Sequence, residues 1–203
     1  LLAQRSCLLT EVHLRRSDVD DDECRALCES LELNTASKLA VLDLSDNLIG
    51  QKEEVSEMRE GYVTGGEALG AMLAASSTLT VLNLSWNSIR GTSAKALASA
   101  LKANATLTVL NLSHNRLDED GGVAVADALE ANTSLTEVRM AHCFVGAKGS
   151  IVLSQALTER ATPLTTVDFS GNVPGKVGAA ALLRAVRSLR GATQLSIIGC
   201  DCG

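Results

Sequence analysis

One phrase recurs along this chain, and it constrains the fold more than any other feature. LTVLNLSWNSI begins at Leu79, and LTVLNLSHNRL begins 28 residues later at Leu107. The same frame, L-x-x-L-x-L-x-x-N, recurs in two further complete copies and three weaker ones, which begin at Leu39 and Leu164 and at Leu9, Leu135 and Leu195. A period of roughly 20–50 residues is typical of stacked repeat architectures. We therefore expect a solenoid in which each unit contacts its neighbours along the stack.

Each copy of the repeat combines two hydrophobic periods. In LTVLNLS, Leu82 and Leu84 alternate with polar residues, as expected of a strand with one buried face. The segment that follows places Ala94, Leu97 and Leu101 at helical spacing. Successive copies start 30, 40, 28, 28, 29 and 31 residues apart, enough for one strand and one helix each.

These phrases resemble the long form of the leucine-rich repeat. It is found in the ribonuclease-inhibitor-like family, which also includes the repeat domains of NOD-like receptors and of the GTPase-activating protein for Ran. The resemblance covers nearly all 203 residues. It implies an α/β leucine-rich-repeat solenoid (horseshoe) with a parallel β-sheet on the concave side and α-helices on the convex side. We interpret residues 1–203 as a single domain of about six to seven repeats. Neither end shows a polar capping repeat, so we expect a fragment of a longer chain.

One polar position follows each strand at the same place in the repeat. It is occupied by Asn47, Asn87, Asn115 and Asn172, and by Cys143 in a weaker copy. The resemblance implies that these side chains form a ladder of hydrogen bonds to the turn backbone of successive repeats. Such a ladder would provide partners for buried backbone groups. We therefore expect Asn115 to be buried and the preceding His114 to point to solvent.

Composition and charge limit which partners the protein can bind and where in the cell we expect it. The net charge is −6 and no basic stripe is present, which argues against a nucleic-acid partner. No apolar run is long enough for a membrane-spanning helix, and no secretory leader is visible. We therefore expect an intracellular protein, in the cytoplasm or associated with a cytoskeletal or axonemal assembly. The glycosylation motifs at Asn104 and Asn132 are accordingly interpreted as chance matches.

Two acidic runs resemble metal sites but have a structural alternative. DVDDDE spans residues 18–23 and DED spans residues 118–120, and both fall at the start of a predicted helix. Carboxylates at this place cap free backbone amides and interact favourably with the helix dipole. We interpret both runs as capping groups, with calcium or magnesium binding as the alternative.

The cysteines are interpreted as reduced thiols with structural roles. Cys24 and Cys28 are four residues apart on a predicted helix, in alignment columns filled mostly by small residues. Each is therefore expected to fill a helix contact as a small hydrophobe. Cys200 and Cys202 are assigned to the last strand, and no C-x-x-C pair occurs. We expect neither a metal nor a cofactor.

Signatures of catalysis are absent from the sequence. A glycine-rich turn over residues 171–176 imitates a phosphate-binding loop, but its glycines are one residue too close together. Val177 also replaces the hydroxyl residue that holds magnesium. The histidines fall on or just after strands without a supporting catalytic motif. We predict that the protein is not an enzyme.

The 40-residue interval contains an insertion, QKEEVSEMREGY, over residues 51–62. Val55, Met58 and Tyr62 follow helical spacing and predict a short amphipathic helix with an apolar stripe. A solvated loop is the alternative interpretation. Insertions in repeat proteins often lie on the binding face, so this segment is one candidate contact for a protein partner.

The second candidate contact is the row of variable residues that the strands direct away from the helices. Trp86 is the only tryptophan, and with His114 and Arg139 it is the predicted anchor, since aromatic residues and arginine dominate binding hot spots. The predicted partner-binding residues of the concave face are Asp43, Asp46, Asn83, Trp86, Asn111, His114, Glu137, Arg139, His142 and Asp168.

The sequence therefore predicts a non-catalytic protein–protein interaction scaffold or recognition module within a larger protein or assembly. One alternative is a GTPase-activating regulator of the Ran-activator type, for which Arg15 or Arg16 would be the candidate arginine. Another is the ligand-sensing domain of a NOD-like receptor. A structural subunit of a cytoskeletal or axonemal complex is equally compatible with the residues.

Overall fold

The computed structural model describes residues 2–162, 164–188 and 194–202, and strands and helices alternate along them. The strands are β1 (Glu11–His13), β2 (Val41–Asp43), β3 (Val81–Asn83), β4 (Val109–Asn111), β5 (Glu137–Arg139), β6 (Thr166–Asp168) and β7 (Gln194–Ser196). The helices are α1 (Asp21–Leu33), α2 (Glu53–Met58), α3 (Gly65–Ala75), α4 (Gly91–Ala103), α5 (Asp118–Ala131), α6 (Ala147–Glu159) and α7 (Gly175–Ser188).

The strands form one open sheet in the order in which they occur in the chain. Every neighbouring pair is parallel and in register, as Leu42 with Leu82 and Leu82 with Leu110. Parallel neighbours require a crossover connection, and a helix provides it in each repeat. The predicted α/β solenoid with a parallel sheet is confirmed.

The core lies between the sheet and the helices. The central residue of an interior strand, such as Leu82, and the residue two positions later, Leu84, are fully buried. The helices contribute leucines and small residues, such as Leu97 and Ala98, so that neighbouring helices approach closely. The first and third residues of the interior strands lie on the other side of the sheet, which we call the open face.

Two carboxylates at the start of α1 accept hydrogen bonds, one from its own helix and the other from the following repeat. Asp20 caps its own helix in a capping box with Glu23. The neighbouring Asp21 is fully buried, and its carboxylate accepts hydrogen bonds from the backbone amides of Gly50, Lys52 and Gly65 at 2.8–3.0 Å. The first acidic run therefore supports the start of α1 and also the start of α3 in the next repeat.

The second acidic run acts across repeats as well. The α5 helix has no side-chain cap of its own, but Glu119 accepts a hydrogen bond from the amide of Gly149 at 2.9 Å. Gly149 lies in the first turn of α6, so the carboxylate caps the helix of the following repeat. Over the described ranges, no three His, Cys, Asp or Glu side chains are grouped so that they could hold a metal ion.

The insertion forms a helix, but its apolar residues are not buried as a stripe. Glu53–Met58 is helical, while Val55 is exposed and the Met58 side chain is 87% exposed. The Tyr62 ring lies 5.6 Å from the guanidinium carbon of Arg25. Of the two interpretations, the helix is therefore the one observed, and its apolar residues Val55 and Met58 face solvent.

Glu53 attaches the insertion to the rest of the molecule. This residue is 4% exposed, and its carboxylate accepts hydrogen bonds from the amides of Thr92 (2.5 Å) and Ser93 (3.1 Å). The N-cap residue of α4, Arg90, makes no side-chain capping bond. The insertion therefore caps α4, a role that the sequence pattern did not predict.

The last copy of the repeat starts three residues earlier than its phrase predicts. β7 places Leu195 beside Val167, the central position of its strand, whereas the phrase predicts the first position of the repeat. That first position lies three residues before Leu195, outside the described residues. Cys200 and Cys202, predicted on the last strand, lie beyond it, and Cys200 falls in the column of the ladder asparagines. The phrase is ambiguous because no asparagine fixes its register.

The helices within the described ranges include none that is both long and apolar enough to span a membrane. All six cysteines are free thiols, and Cys24 and Cys28 are buried in the helix layer as expected of small hydrophobes. A hydrogen bond with Cys28, together with burial, raises the pKa of the Cys24 thiol.

Candidate functional site

The chain adopts a left-handed backbone conformation three residues past every strand. The residues at this position, with φ between +53° and +67°, are Arg16, Asp46, Trp86, His114, His142, Gly171 and Gly199. We call this row the strand-end edge. Left-handed φ is uncommon for residues other than glycine, and for a bulky residue it is a genuine outlier. The tight turn after each strand imposes it on whichever residue occupies the position.

Three rings stack along the strand-end edge. The Trp86 and His114 ring centroids are 3.8 Å apart with 11° between the ring planes, and those of His114 and His142 are 4.6 Å apart with 16° between the planes. Neighbouring strands are spaced about 4.8 Å apart, so equivalent side chains in adjacent repeats come within stacking distance. The register of the sheet therefore produces a continuous aromatic column from β3 to β5.

The position of His114 differs from the prediction. It was expected to point to solvent, but its ring is half-buried between the two neighbouring rings. Burial, and secondarily the proximity of His142, lower the pKa of His114, while Asp168 acts in the opposite direction. The column thus favours a neutral imidazole at its centre.

The column ends against Gly171. A Cβ atom placed on this glycine would come within 2.2 Å of His142 Cε1, so the ring lies directly on the glycine backbone. A side chain at this position would displace His142. The aromatic column therefore covers three repeats and ends where the next residue of the strand-end edge has no side chain.

The ladder side chains lie just behind the strand-end edge. Asn115 is 1% exposed, accepts a hydrogen bond from the amide of Ile89 (2.9 Å), and donates to the carbonyls of Leu84 (2.8 Å) and Leu112 (2.9 Å). Equivalent bonds to the preceding repeat are made by Asn47, Asn87 and Asn172. One side chain therefore joins two consecutive turns.

Cys143 occupies the same column with a thiol. Its Sγ atom lies 3.1 Å from the carbonyl oxygen of Leu112, to which it donates, and its amide donates to the Asn172 side chain at 3.0 Å. Burial raises the pKa of this thiol to about 12, so it stays protonated at neutral pH. A buried, protonated thiol is chemically inert, which is consistent with a structural residue.

Five of the predicted partner-binding residues occupy the third strand position on the open face, and four of these are Asp or Asn. These four are Asp43, Asn83, Asn111 and Asp168. In each, Oδ1 accepts a hydrogen bond from the backbone amide two residues later, at 2.9–3.2 Å. These side chains therefore support the turn into the strand-end edge while remaining only partly buried.

The remaining predicted residues form ion pairs at this surface. Arg139 Nη2 lies 2.5 Å from Glu137 Oε1 on the same strand. Asp46 lies on the strand-end edge, 2.5 Å from Arg16 Nε and 3.9 Å from Arg15 Nη2. The polar groups thus surround the aromatic column on the open face and toward the first repeat.

One exposed aromatic residue was missed in the sequence. Phe144 lies two residues beyond the strand-end edge, also has left-handed φ, and is 60% exposed. Leu48 and Val173 occupy the equivalent place in other repeats and are exposed as well. Aligning the repeats two residues further would have found this column. Phe144, Leu48 and Val173 therefore add exposed apolar side chains close to the strand-end edge in three of the repeats.

A second ladder, also missed, lies at the opposite ends of the strands. Asn104 donates to the carbonyls of Leu73 (2.9 Å) and Ser76 (3.1 Å), and Asn132 makes the same bonds one repeat later, to Leu101 (2.7 Å) and Asn104 (2.9 Å). Both asparagines are buried. Their fixed distance of three residues before the next repeat was the available sequence signal. Burial and hydrogen bonding explain these asparagines without glycosylation.

Comparisons with known proteins agree with the repeat fold. A family model described as Leucine Rich repeat matches residues 75–98 and 103–126. A search of curated protein sequences found no significant match. Among solved structures, a chain described as Leiomodin-1 Actin-Binding Site 2 (ABS2) is similar, with a TM-score of 0.51 and 22% sequence identity. The match covers 92% of this chain and 86% of that one. This protein therefore contains leucine-rich repeats and has the fold of an α/β leucine-rich-repeat solenoid.

Proposed function

We propose that this protein is a non-catalytic interaction module that binds a protein partner at the strand-end edge and the adjoining open face. The observation that carries the proposal is the aromatic column headed by Trp86, which is 56% exposed. Exposed aromatic side chains surrounded by polar groups are the usual anchors of protein interfaces. Leucine-rich repeats and the fold of the similar structure support the same class of function.

The backbone at Trp86 gives a second argument. A left-handed conformation of a non-glycine residue costs on the order of 1–3 kcal/mol. Gly171 and Gly199 occupy the same position in other repeats, so the turn itself does not require a side chain. Stacking on His114 recovers only about 0.5–1.5 kcal/mol. A large exposed ring at a strained position is therefore better explained by a contact outside the chain than by stability.

The proposal is tested by comparing Trp86→Ala with wild type for a partner recovered by affinity capture and then purified. We expect binding to weaken at least about tenfold, since hot-spot truncations typically cost about 2 kcal/mol or more. The melting temperature should remain nearly unchanged. Phe144→Ala tests the second exposed aromatic side chain beside this edge. Unchanged affinity in both variants would refute binding at this edge.

The insertion is the other candidate contact for the partner. Deleting it would also remove the buried Glu53 cap, so loss of binding would be ambiguous. Met58→Ser changes an exposed side chain and leaves Glu53 in place. If Met58→Ser weakens binding and Trp86→Ala does not, the partner contacts the insertion instead of the strand-end edge.

Actin is a defined first partner to test, because the similar solved structure is described as an actin-binding site. A co-sedimentation assay with filamentous actin, and a binding assay with monomeric actin, should each include Trp86→Ala. Binding that depends on Trp86 would identify actin as the partner and link the protein to the cytoskeleton. Binding that is indifferent to both Trp86 and Met58 would contradict the proposed surfaces.

The GTPase-regulator alternative would require an available arginine. Arg15 and Arg16 are the candidates, and both approach the carboxylate of Asp46. This ion pairing does not favour an arginine that is free to reach into the active site of a GTPase. A turnover assay with a panel of small GTPases would detect such an activity, and a rate increase abolished by Arg16→Ala would support it over the interaction module.

A further inference from the structure

A cavity lies at the N-terminal ends of the strands, opposite the aromatic column, where the second ladder is incomplete. Asn104 and Asn132 each have two hydrogen-bonding functions at the C-terminal end of their helix. The side-chain oxygen accepts from the next turn's amides, and the side-chain nitrogen donates to carbonyls of the preceding repeat. Ser76 holds this position at the end of α3, and its hydroxyl performs only the accepting function, from Thr78 and Leu79.

The missing donor leaves a defined space. By the geometry of the two complete positions, a donor at residue 76 would reach the carbonyls of Leu31 and Asn34 in the preceding repeat. A cavity of about 360 Å³ occurs there, lined by both of these residues and by Ser76. Its apolar wall includes Met72 and Leu79, which are otherwise buried. This volume is within the roughly 300–1,000 Å³ range of small-ligand sites.

The same chain shows which group can occupy such a slot. Arg160 stands in the equivalent position at the end of α6, and its guanidinium donates to the carbonyls of Leu129 and Leu135, each at 2.9 Å. Leu129 is equivalent to Leu31, three residues before the helix-end residue. Leu135 is equivalent to Leu39, whose carbonyl already accepts a hydrogen bond from the Thr78 hydroxyl at 2.9 Å. The second carbonyl for a donor at this slot is therefore that of Asn34, the position to which Asn132 donates in its own slot. A planar fork of N–H donors therefore fits this slot, as it reaches several carbonyls at once.

The charges around the cavity favour a cation. The C-terminal ends of α1 and α3 converge there, and the last turn of each contains no basic residue. Helix C-termini carry partial negative charge. The carbonyls of Leu31 and Asn34 each accept one backbone hydrogen bond, from Asn34 and Ser37, and each has a second lone pair for a further donor. Glu32 adds a carboxylate to the lining, whereas the nearby Lys38 is exposed and does not line the cavity.

We propose that this cavity is a docking site for an arginine side chain of a protein partner. The guanidinium would donate to the Leu31 and Asn34 carbonyls, its stem would lie along Met72 and Leu79, and Glu32 would balance its charge. This site is on the other edge of the strands from Trp86, so it does not depend on the function proposed above.

The test is an NMR titration of the ¹⁵N-labelled protein with N-acetyl-arginine N-methylamide. We expect saturable shifts of the amides around Leu31, Asn34 and Leu79, with a dissociation constant of about 1 mM for a fragment of this size. The matched citrulline derivative has the same shape without the charge, and the matched lysine derivative has the charge without the fork. Both should bind at least roughly tenfold more weakly.

Ser76→Asn is the decisive variant, because it restores the donor found at the complete positions. This variant should fold at least as stably as wild type and should lose the arginine titration. Ser99→Asn, the same change at an exposed site on α4, should leave the titration intact. Equal binding of arginine by Ser76→Asn and wild type would overturn the proposal. Equal binding of citrulline or lysine would overturn the assignment of a guanidinium ligand.

Discussion

The buried side-chain amide of Asn115 forms hydrogen bonds with backbone groups of two consecutive repeats. We expect Asn115→Ala to reduce the free energy of unfolding by roughly 1–3 kcal/mol, because an amide and carbonyls would lose their partner inside the protein. Asn111→Ala is the matched control. Its side chain makes only a local bond to Ser113, so its effect should be smaller. Denaturant unfolding of both variants measures the difference, and equal effects would contradict the proposed importance of the ladder.

The half-buried His114 should make stability depend on pH. Its pKa is lowered in the folded protein, so the unfolded chain binds the proton more tightly. The resulting stabilisation is complete above the unfolded pKa of about 6.5 and is lost as the pH falls through the folded pKa. We expect unfolding free energy to fall between about pH 7.5 and 5.5, with less change in His114→Phe, which retains a ring.

Denaturant unfolding followed by tryptophan fluorescence is the appropriate measurement, because Trp86 is the only tryptophan and touches His114. The wild-type and His114→Phe curves should differ most at the acidic end of this range. Stability that increases on acidification, attributable to His114, would show that the imidazolium is favoured in the folded state and would contradict the direction of the pKa shift.

The short helix α2 supports α4 through one carboxylate. We expect Glu53→Ala to destabilise the protein by roughly 1.5–3 kcal/mol, since a buried, hydrogen-bonded carboxylate would be removed from two amides. Amide hydrogen exchange at Thr92 and Ser93 should accelerate. Glu54→Ala is the matched control, as that side chain is exposed and pairs only with Arg90. Equal protection of Thr92 and Ser93 in both variants would exclude the capping role.

At the scale of the element, the sequence predicted regular repeats well and irregular ones poorly. The strands from β1 to β6 follow from the leucine frame, because alternating apolar residues and an asparagine fix their register. In the last repeat neither signal is complete, so the phrase beginning at Leu195 matches the frame at a wrong offset. The insertion was ambiguous for a related reason, since its attachment depends on Glu53 meeting a helix start about 40 residues later in the chain.

At the candidate site, too, features set by the local sequence could be predicted, and features set by contacts between repeats could not. Trp86, His114 and His142 could be placed in one row by counting residues from each repeat start. Their face-to-face stacking could not, because it depends on the spacing between strands and on the turn conformation. The serine in place of the ladder asparagine at residue 76 can be seen in the aligned repeats, but the cavity cannot, because it depends on how the ends of α1 and α3 pack.

At the scale of the molecule, a solenoid should couple only neighbouring repeats. Leu110→Ala should cost roughly 2–5 kcal/mol by leaving a cavity with strands on both sides. We expect Leu82→Ala and Leu110→Ala to be non-additive, because these residues pair across β3 and β4. Leu82→Ala and Val167→Ala, three strands apart, should add within about 0.5 kcal/mol. A double-mutant cycle by denaturant unfolding distinguishes these cases, and coupling of the distant pair would contradict the nearest-neighbour architecture.

The capping carboxylates that cross between repeats bear on how such a chain can evolve. Asp21, Glu53 and Glu119 each cap a helix that belongs to a later part of the sequence. A repeat that is copied or deleted as a block therefore separates a helix from a carboxylate of an earlier segment, and amides at the new junction lose that hydrogen-bond partner. An insertion that contains a capping carboxylate, as residues 51–62 contain Glu53, leaves the following helix with a hydrogen-bond partner for its free amides. Gene rearrangements should accordingly be tolerated best where the inserted block provides the cap for the helix that follows it.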